Sequence, residues 1–114
     1  MTELILLANG CSMTYGSELS ENHHERMASC WVGQLAQKSA ACRAVNLGYP
    51  GGSNDRILRT TIEWISKHYL TKIKDRMLFV CIGWSSPMRR EFYIDDQWRQ
   101  LIPYHDYQDK AASF

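Results

Sequence analysis

A chain of 114 residues with 45% hydrophobic and 22% charged residues has the makeup of one ordinary globular domain, 1–114, not of a disordered chain or of two domains. A formal net charge of +1 gives no global pull toward nucleic acid or an anionic membrane, so neither is expected as a partner. No apolar run approaches the roughly 18 residues that span a bilayer, and Leu4-Ile5-Leu6-Leu7-Ala8 is too short and lacks the basic lead-in of an export signal.

That N-terminus predicts a cytoplasmic chain. Its four cysteines, Cys11, Cys30, Cys42 and Cys81, show no CxxC spacing and read as reduced thiols. Nothing in their spacing to His23 or His24 supports a zinc site, and no metal or cofactor is expected.

In chain order, Glu3 to Ala8 is a short continuous apolar run, as in a strand buried on both faces. It ends in the turn Asn9-Gly10-Cys11-Ser12, and a polar loop holding Ser17, Glu18, Glu21, His23 and His24 follows. Met27 to Ala41 has helical apolar spacing at Trp31, Leu35 and Ala36. Ala44 to Leu47 is a second strand, ending in Gly48-Tyr49-Pro50-Gly51-Gly52. Ser53 then stands as a helix cap, with Asn54 and Asp55 in the first turn and one face formed by Ile57, Leu58, Thr61, Ile62, Ile65 and Tyr69. Met77 to Ile82 is a third buried strand, ending at Gly83. Phe92-Tyr93-Ile94, Asp95-Asp96 and Gln97 to Ile102 predict a hairpin with an acidic turn. The tail from Pro103 to Phe114 is not assigned. Strands alternating with helices predict an α/β fold with a parallel sheet, whose site lies at the carboxyl ends of the strands. All three glycine turns fall there.

Four segments could carry chemistry. Ser12, just past a buried strand and beside Gly10, is either a nucleophile presented on a sharp turn or a helix cap. Asn46-Leu47-Gly48-Tyr49-Pro50-Gly51-Gly52-Ser53-Asn54 could offer backbone N–H groups to an oxyanion or phosphate, or be a tight loop with no ligand. It is neither a Walker A loop, lacking the lysine, nor a dinucleotide fingerprint. In Ile82-Gly83-Trp84-Ser85-Ser86-Pro87, Ser85 or Ser86 offers a hydroxyl and Trp84 a pocket wall, unless Trp84 is core. Arg89 could hold an anion bidentately, or belong with Arg90 and Glu91 to a solvated charge cluster. The set Trp31, Trp64, Trp84 and Trp98 reads as packing.

These segments, in this order, resemble the first three blocks of the SGNH/GDSL hydrolase superfamily, and most closely a divergent branch among phage and bacterial proteins. The resemblance covers roughly residues 4 to 91. It implies a three-layer α/β/α sandwich with a flavodoxin-like parallel sheet, here followed by a hairpin. It also implies Ser12 as nucleophile and oxyanion donor, and Gly51, five residues after Asn46, as the oxyanion glycine. The third block normally supplies an asparagine; Ser85 stands there, so the third donor is its hydroxyl, a neighbour such as Asn54, or missing. The family's D-x-x-H segment is absent from the chain. His105 is the C-terminal histidine available as base. Either His105 is recruited, or the chain is the N-terminal part of a longer protein, or the fold survives without its chemistry. A sheet lacking its later strands exposes an edge and favours a homodimer.

Two functions stay open. One is a serine esterase or acyl-hydrolase acting on a small ester or acylated substrate. The other is a non-catalytic module whose crevice, lined by Ser12, Gly51, Asn54, Trp84 and Arg89, binds an anionic or carbohydrate-like ligand.

Overall fold

The computed structural model of the chain describes residues 3–39 and 43–101. The expectations for Cys42, Ile102 and His105 lie outside them. The fold is mixed α/β. Strand β1 (Leu4–Asn9) leads through helices α1 (Ser12–Tyr15), α2 (His23–Ser29) and α3 (Trp31–Ser39) to β2 (Arg43–Asn46). Helix α4 (Asn54–Trp64), a π-helical turn over Ile65–Tyr69 and α5 (Leu70–Lys72) then lead to β3 (Met77–Ile82). Strands β4 (Arg90–Ile94) and β5 (Gln97–Leu101) close the described chain. The three-stranded sheet runs β2-β1-β3, all parallel, and β4-β5 is a separate antiparallel hairpin. Among the described residues no helix is long and apolar enough to cross a membrane.

β1 is central because its side chains are apolar on both faces. Ile5, Leu6, Leu7, Ala8 and Asn9 are each exposed by 2% or less. Ile5 and Leu7 pack with Trp64 and Ile73, while Leu6 and Ala8 pack with Cys30 and Val32. Alternation along the strand thus sends one cluster to the α4 side and the other to the α3 side. Burial of each Ile or Leu contributes about 2 kcal/mol.

The strand ends on Asn9, whose carboxamide bridges two layers. The two N–H groups of its Nδ2 are shared among the Ile57 carbonyl at 3.0 Å, Thr60 Oγ1 at 2.8 Å and Thr61 Oγ1 at 2.9 Å, while its Oδ1 accepts the Gly10 N–H at 2.8 Å. A polar side chain fully buried at a strand end is tolerated because every part of it is bonded.

Several expectations are corrected. The single helix over 27–41 is two: Cys30, extended at ψ 166, breaks the chain between α2 and α3. Its burial explains the break, since an unbroken helix could not seat both Cys30 and Val32 against the sheet. His23 and His24 are helical, not loop. Asn22 caps α2 by accepting from the Glu25 N–H at 3.0 Å, and Ser20 Oγ donates to Glu25 at 3.0 Å. Helix α4 buries Ile57, Thr61 and Trp64 and leaves Leu58 and Ile62 exposed. Ser53 does cap it, accepting from the Arg56 N–H at 3.1 Å. β3 has the expected bounds but is not buried. It is one of the two edge strands of the sheet among the described residues, and Met77, Phe79 and Val80 are 60%, 54% and 40% exposed.

The hairpin is as expected, with Asp95 and Asp96 at φ 54 and 61, the left-handed pair of a two-residue turn. Glu91 is not part of a solvated cluster. Its side chain is 2% exposed and accepts from Arg59 Nε at 2.8 Å and Nη2 at 2.9 Å. Arg59 also lies 4.4 Å over the Trp98 ring. Arg90 pairs with Asp55 at 2.8 Å, and Gln100 Oε1 accepts the Ser53 N–H at 3.0 Å. The hairpin is therefore fastened to the first turns of α4.

Two outcomes are expected. Asn9→Ala orphans the groups that the carboxamide joins and should cost about 3 kcal/mol in urea unfolding. A loss under about 0.5 kcal/mol would contradict the bridging role. β3 carries no charge and no proline, so antiparallel pairing with β3 of a second copy brings no like charges together. Light scattering should find a concentration-dependent dimer that Val80→Lys returns to monomer without loss of stability. A wild type monomeric up to about 1 mM rejects that pairing.

Candidate functional site at the strand ends

The three glycine turns converge on the end of β1. The Gly83 N–H donates to the Asn9 carbonyl at 2.9 Å, the Leu47 N–H to Ala8 at 2.8 Å and the Tyr49 N–H to Gly10 at 3.2 Å. Gly10 has to be glycine because a Cβ there would overlap the Thr14 side chain and crowd the Gly83 carbonyl. Asn46 completes the knot. Its Nδ2 donates to the Thr14 carbonyl and its Oδ1 accepts the Gly48 N–H, both at 2.8 Å.

Ser12 opens α1 and lines an open groove of about 230 Å³ with Met13, Ser17 and Glu18. Glu18 holds a left-handed backbone at φ 70, a conformation that costs a non-glycine residue about 1–3 kcal/mol. Among the described residues nothing hydrogen-bonds Ser12 Oγ. His23 instead meets Arg26 at 2.8 Å, and His68 lies 5.6 Å from Trp64, ring to ring. Gly51 is left-handed at φ 77, which glycine adopts without strain, and its N–H has no partner among the described residues.

The second and third loops are clipped together. Asn54 Oδ1 accepts the Ser85 N–H at 2.6 Å and its Nδ2 donates to the Ser85 carbonyl at 3.2 Å. Its carboxamide is therefore engaged in holding the loops. The Ser85 hydroxyl in turn accepts from Arg89 Nη1 at 3.0 Å. Trp84 is exposed beside them and is not core. Asn54, Ser85 and Arg89 thus form one chain of contacts, Ser12 lines its own groove, and Trp84 stands at the rim. Among the described residues no group of three His, Cys, Asp or Glu is placed to hold a metal ion.

Cys11 is the residue that pattern reading passed over. It is half-buried and free, not a core thiol. Burial raises its pKa, but the Met13 N–H, the Ser85 hydroxyl, the Arg89 guanidinium and the Ser12 N–H together hold it below the ordinary thiol value. The sulfur makes no capping hydrogen bond of standard geometry to α1, so those N–H groups act through their dipoles. The signal was present: a cysteine directly before a helix start, after a buried strand. The site thus holds a hydroxyl beside a thiol whose pKa is lowered.

The expected consequence is reactivity. Iodoacetamide followed by peptide mapping should show Cys11 alkylated at lower pH than the thiol of a short unstructured cysteine peptide, and Arg89→Gln should move the Cys11 midpoint upward. An Arg89→Gln profile identical to wild type would contradict the electrostatic origin of the shift.

No curated protein and no solved structure matches the chain. The segment Asn9–Ser12 precedes the part of the chain that a family model does match. That match, over residues 16–113, places the chain in a family of unknown function, DUF6071, and the chain belongs to that family.

Proposed function

We propose that the chain is a serine hydrolase of the SGNH/GDSL type, an esterase or acyl-hydrolase acting on a small ester or acylated substrate. The sheet order β2-β1-β3 is that of the first strands of a flavodoxin-like sheet, and helical segments pack on both faces of β1. Both features support a three-layer sandwich of that class. The observation that carries the proposal is the convergence on Gly10. There β1 delivers Ser12 to an open groove, its Oγ without a partner among the described residues, and the second loop, whose Gly51 N–H likewise has no partner among the described residues, is bonded to the same glycine through Tyr49.

In this mechanism Ser12 Oγ adds to the ester carbonyl carbon and its proton passes to a base. The negative charge that develops on the carbonyl oxygen is held by the N–H groups of Ser12 and Gly51. The intermediate collapses by expelling the alcohol, and water then releases the acid from the acyl-serine. The base in this scheme is His105, which lies outside the described residues. Ser85 contributes by positioning the third loop, since its hydroxyl already bonds Arg89.

One observation favours a second reading. Among the described residues no histidine bonds Ser12, and the Asn54 carboxamide is occupied by Ser85. A chain of that kind binds a small anionic or carbohydrate-like ligand at the crevice without cleaving it.

A fluorophosphonate probe read by intact mass separates the two. The hydrolase reading expects one adduct on the wild type, none on Ser12→Ala and an adduct retained on Cys11→Ala. A folded wild type that takes no label supports the binding module and ends the hydrolase reading for this chain.

A further inference from the structure

A second concavity shares no lining residue with the Ser12 groove. It measures about 420 Å³ and is lined by Leu47 and Gly48 at the end of β2 and by Arg56, Trp64, Lys67 and His68 of the long helical segment. Its volume falls at the lower end of small-molecule sites.

Arg56 is the reason to single it out. Its guanidinium is partly buried, and its hydrogen bonds among the described residues amount to one, from Nη1 to the Leu47 carbonyl at 3.1 Å. It lies 4.5 Å over the Tyr49 ring, and no ion pair to a carboxylate is formed among the described residues. Burial, joined by the neighbouring positive charge of Arg59, depresses its pKa. A guanidinium placed in a cavity with most of its donors unused is suited to an oxyanion, which it grips with two parallel N–H groups.

The rest of the lining agrees. Lys67 and His68 border the same cavity. The carboxylate there, Glu63, is drawn to Arg59 at 3.4 Å. Lys67 and His68 belong to the π-helical turn Ile65–Tyr69, a rare geometry that recurs at functional sites and resets which side chains face the groove. Trp64, mostly buried on Ile5 and Leu7, reaches the lining with its remaining exposed edge and is tilted 36° to the His68 ring.

We propose that the groove between β2 and α4 is a binding site for a phosphomonoester of about mononucleotide size. Arg56 and Lys67 hold the phosphate, and Trp64 packs against the organic part. The site is independent of the chemistry assigned to Ser12.

Calorimetric titration of the full chain with inorganic phosphate and with adenosine 5′-monophosphate tests it. Both probes should bind, the nucleotide more tightly. Lys67→Ala, on an exposed residue, should weaken both by about tenfold while leaving unfolding unchanged. Arg56→Gln should abolish binding of both, and its fold is checked by circular dichroism. Absence of heat for either probe at about 5 mM, phosphate binding without nucleotide binding, or affinities unchanged in Lys67→Ala would each overturn the assignment.

Discussion

The carboxamide of Asn9 is the contact on which the rest of the arrangement depends. A parallel strand buried on both faces must end somewhere, and here it ends on a polar group that water cannot reach. Bonding that group to Ile57, Thr60 and Thr61 fixes the height of α4 against β1, while its oxygen fixes the turn at Gly10. The direction of the chain leaving the sheet, and hence the place of Cys11 and Ser12, follows from that one residue. Leaving it unbonded would carry the full desolvation penalty of a buried amide.

Around this point the protein uses polar clips where apolar packing is thin. Asn46 ties the second loop to α1, Asn54 ties it to the third loop, and Glu91 with Gln100 ties the hairpin to α4. Each clip is bidentate or bridges two backbone groups, so each sets orientation as well as distance. The clips set the relative placement of the loops, which contribute little to the core. The same economy limits the chemistry, because Asn54 and Ser85 are engaged with protein partners and Arg89 sits between a hydroxyl and a thiol.

Helix α4 divides the molecule in two. Its Ile57–Thr61–Trp64 face lies on the sheet. The Arg56–Thr60–Glu63 side borders β2 and forms the cationic cavity. Leu58 and Ile62, about 100° further round, fall on the opposite side, toward β3. Because β3 is an edge with Phe79 and Val80 exposed, that flank is apolar and has no strand partner among the described residues, while the β2 flank is charged and concave. The two sides of one helix thus offer different kinds of surface.

Much of the fold was legible in residue order alone. Continuous apolar runs ending in glycine announced parallel strands, Ser53 announced its helix, and Asp95-Asp96 announced a two-residue turn, because each signal is local. The placement of Ser12 and Gly51 at the strand ends was legible for the same reason: strand ends and glycine turns are marked in the chain itself. The exposure of β3, the break at Cys30 and the burial of Glu91 were not, since apolar or charged composition says nothing about whether a neighbour occupies the adjoining space. Nor was the state of the Cys11 thiol, which depends on Ser85 and Arg89, distant in sequence and brought close by the Asn54 clip. The sequence by itself determined which segments become strands, helices and turns, because backbone preference and hydrophobic period act over a few residues. Only the tertiary structure decided which strand is an edge, which charges are buried and which thiol has its pKa lowered, because those properties belong to contacts between segments.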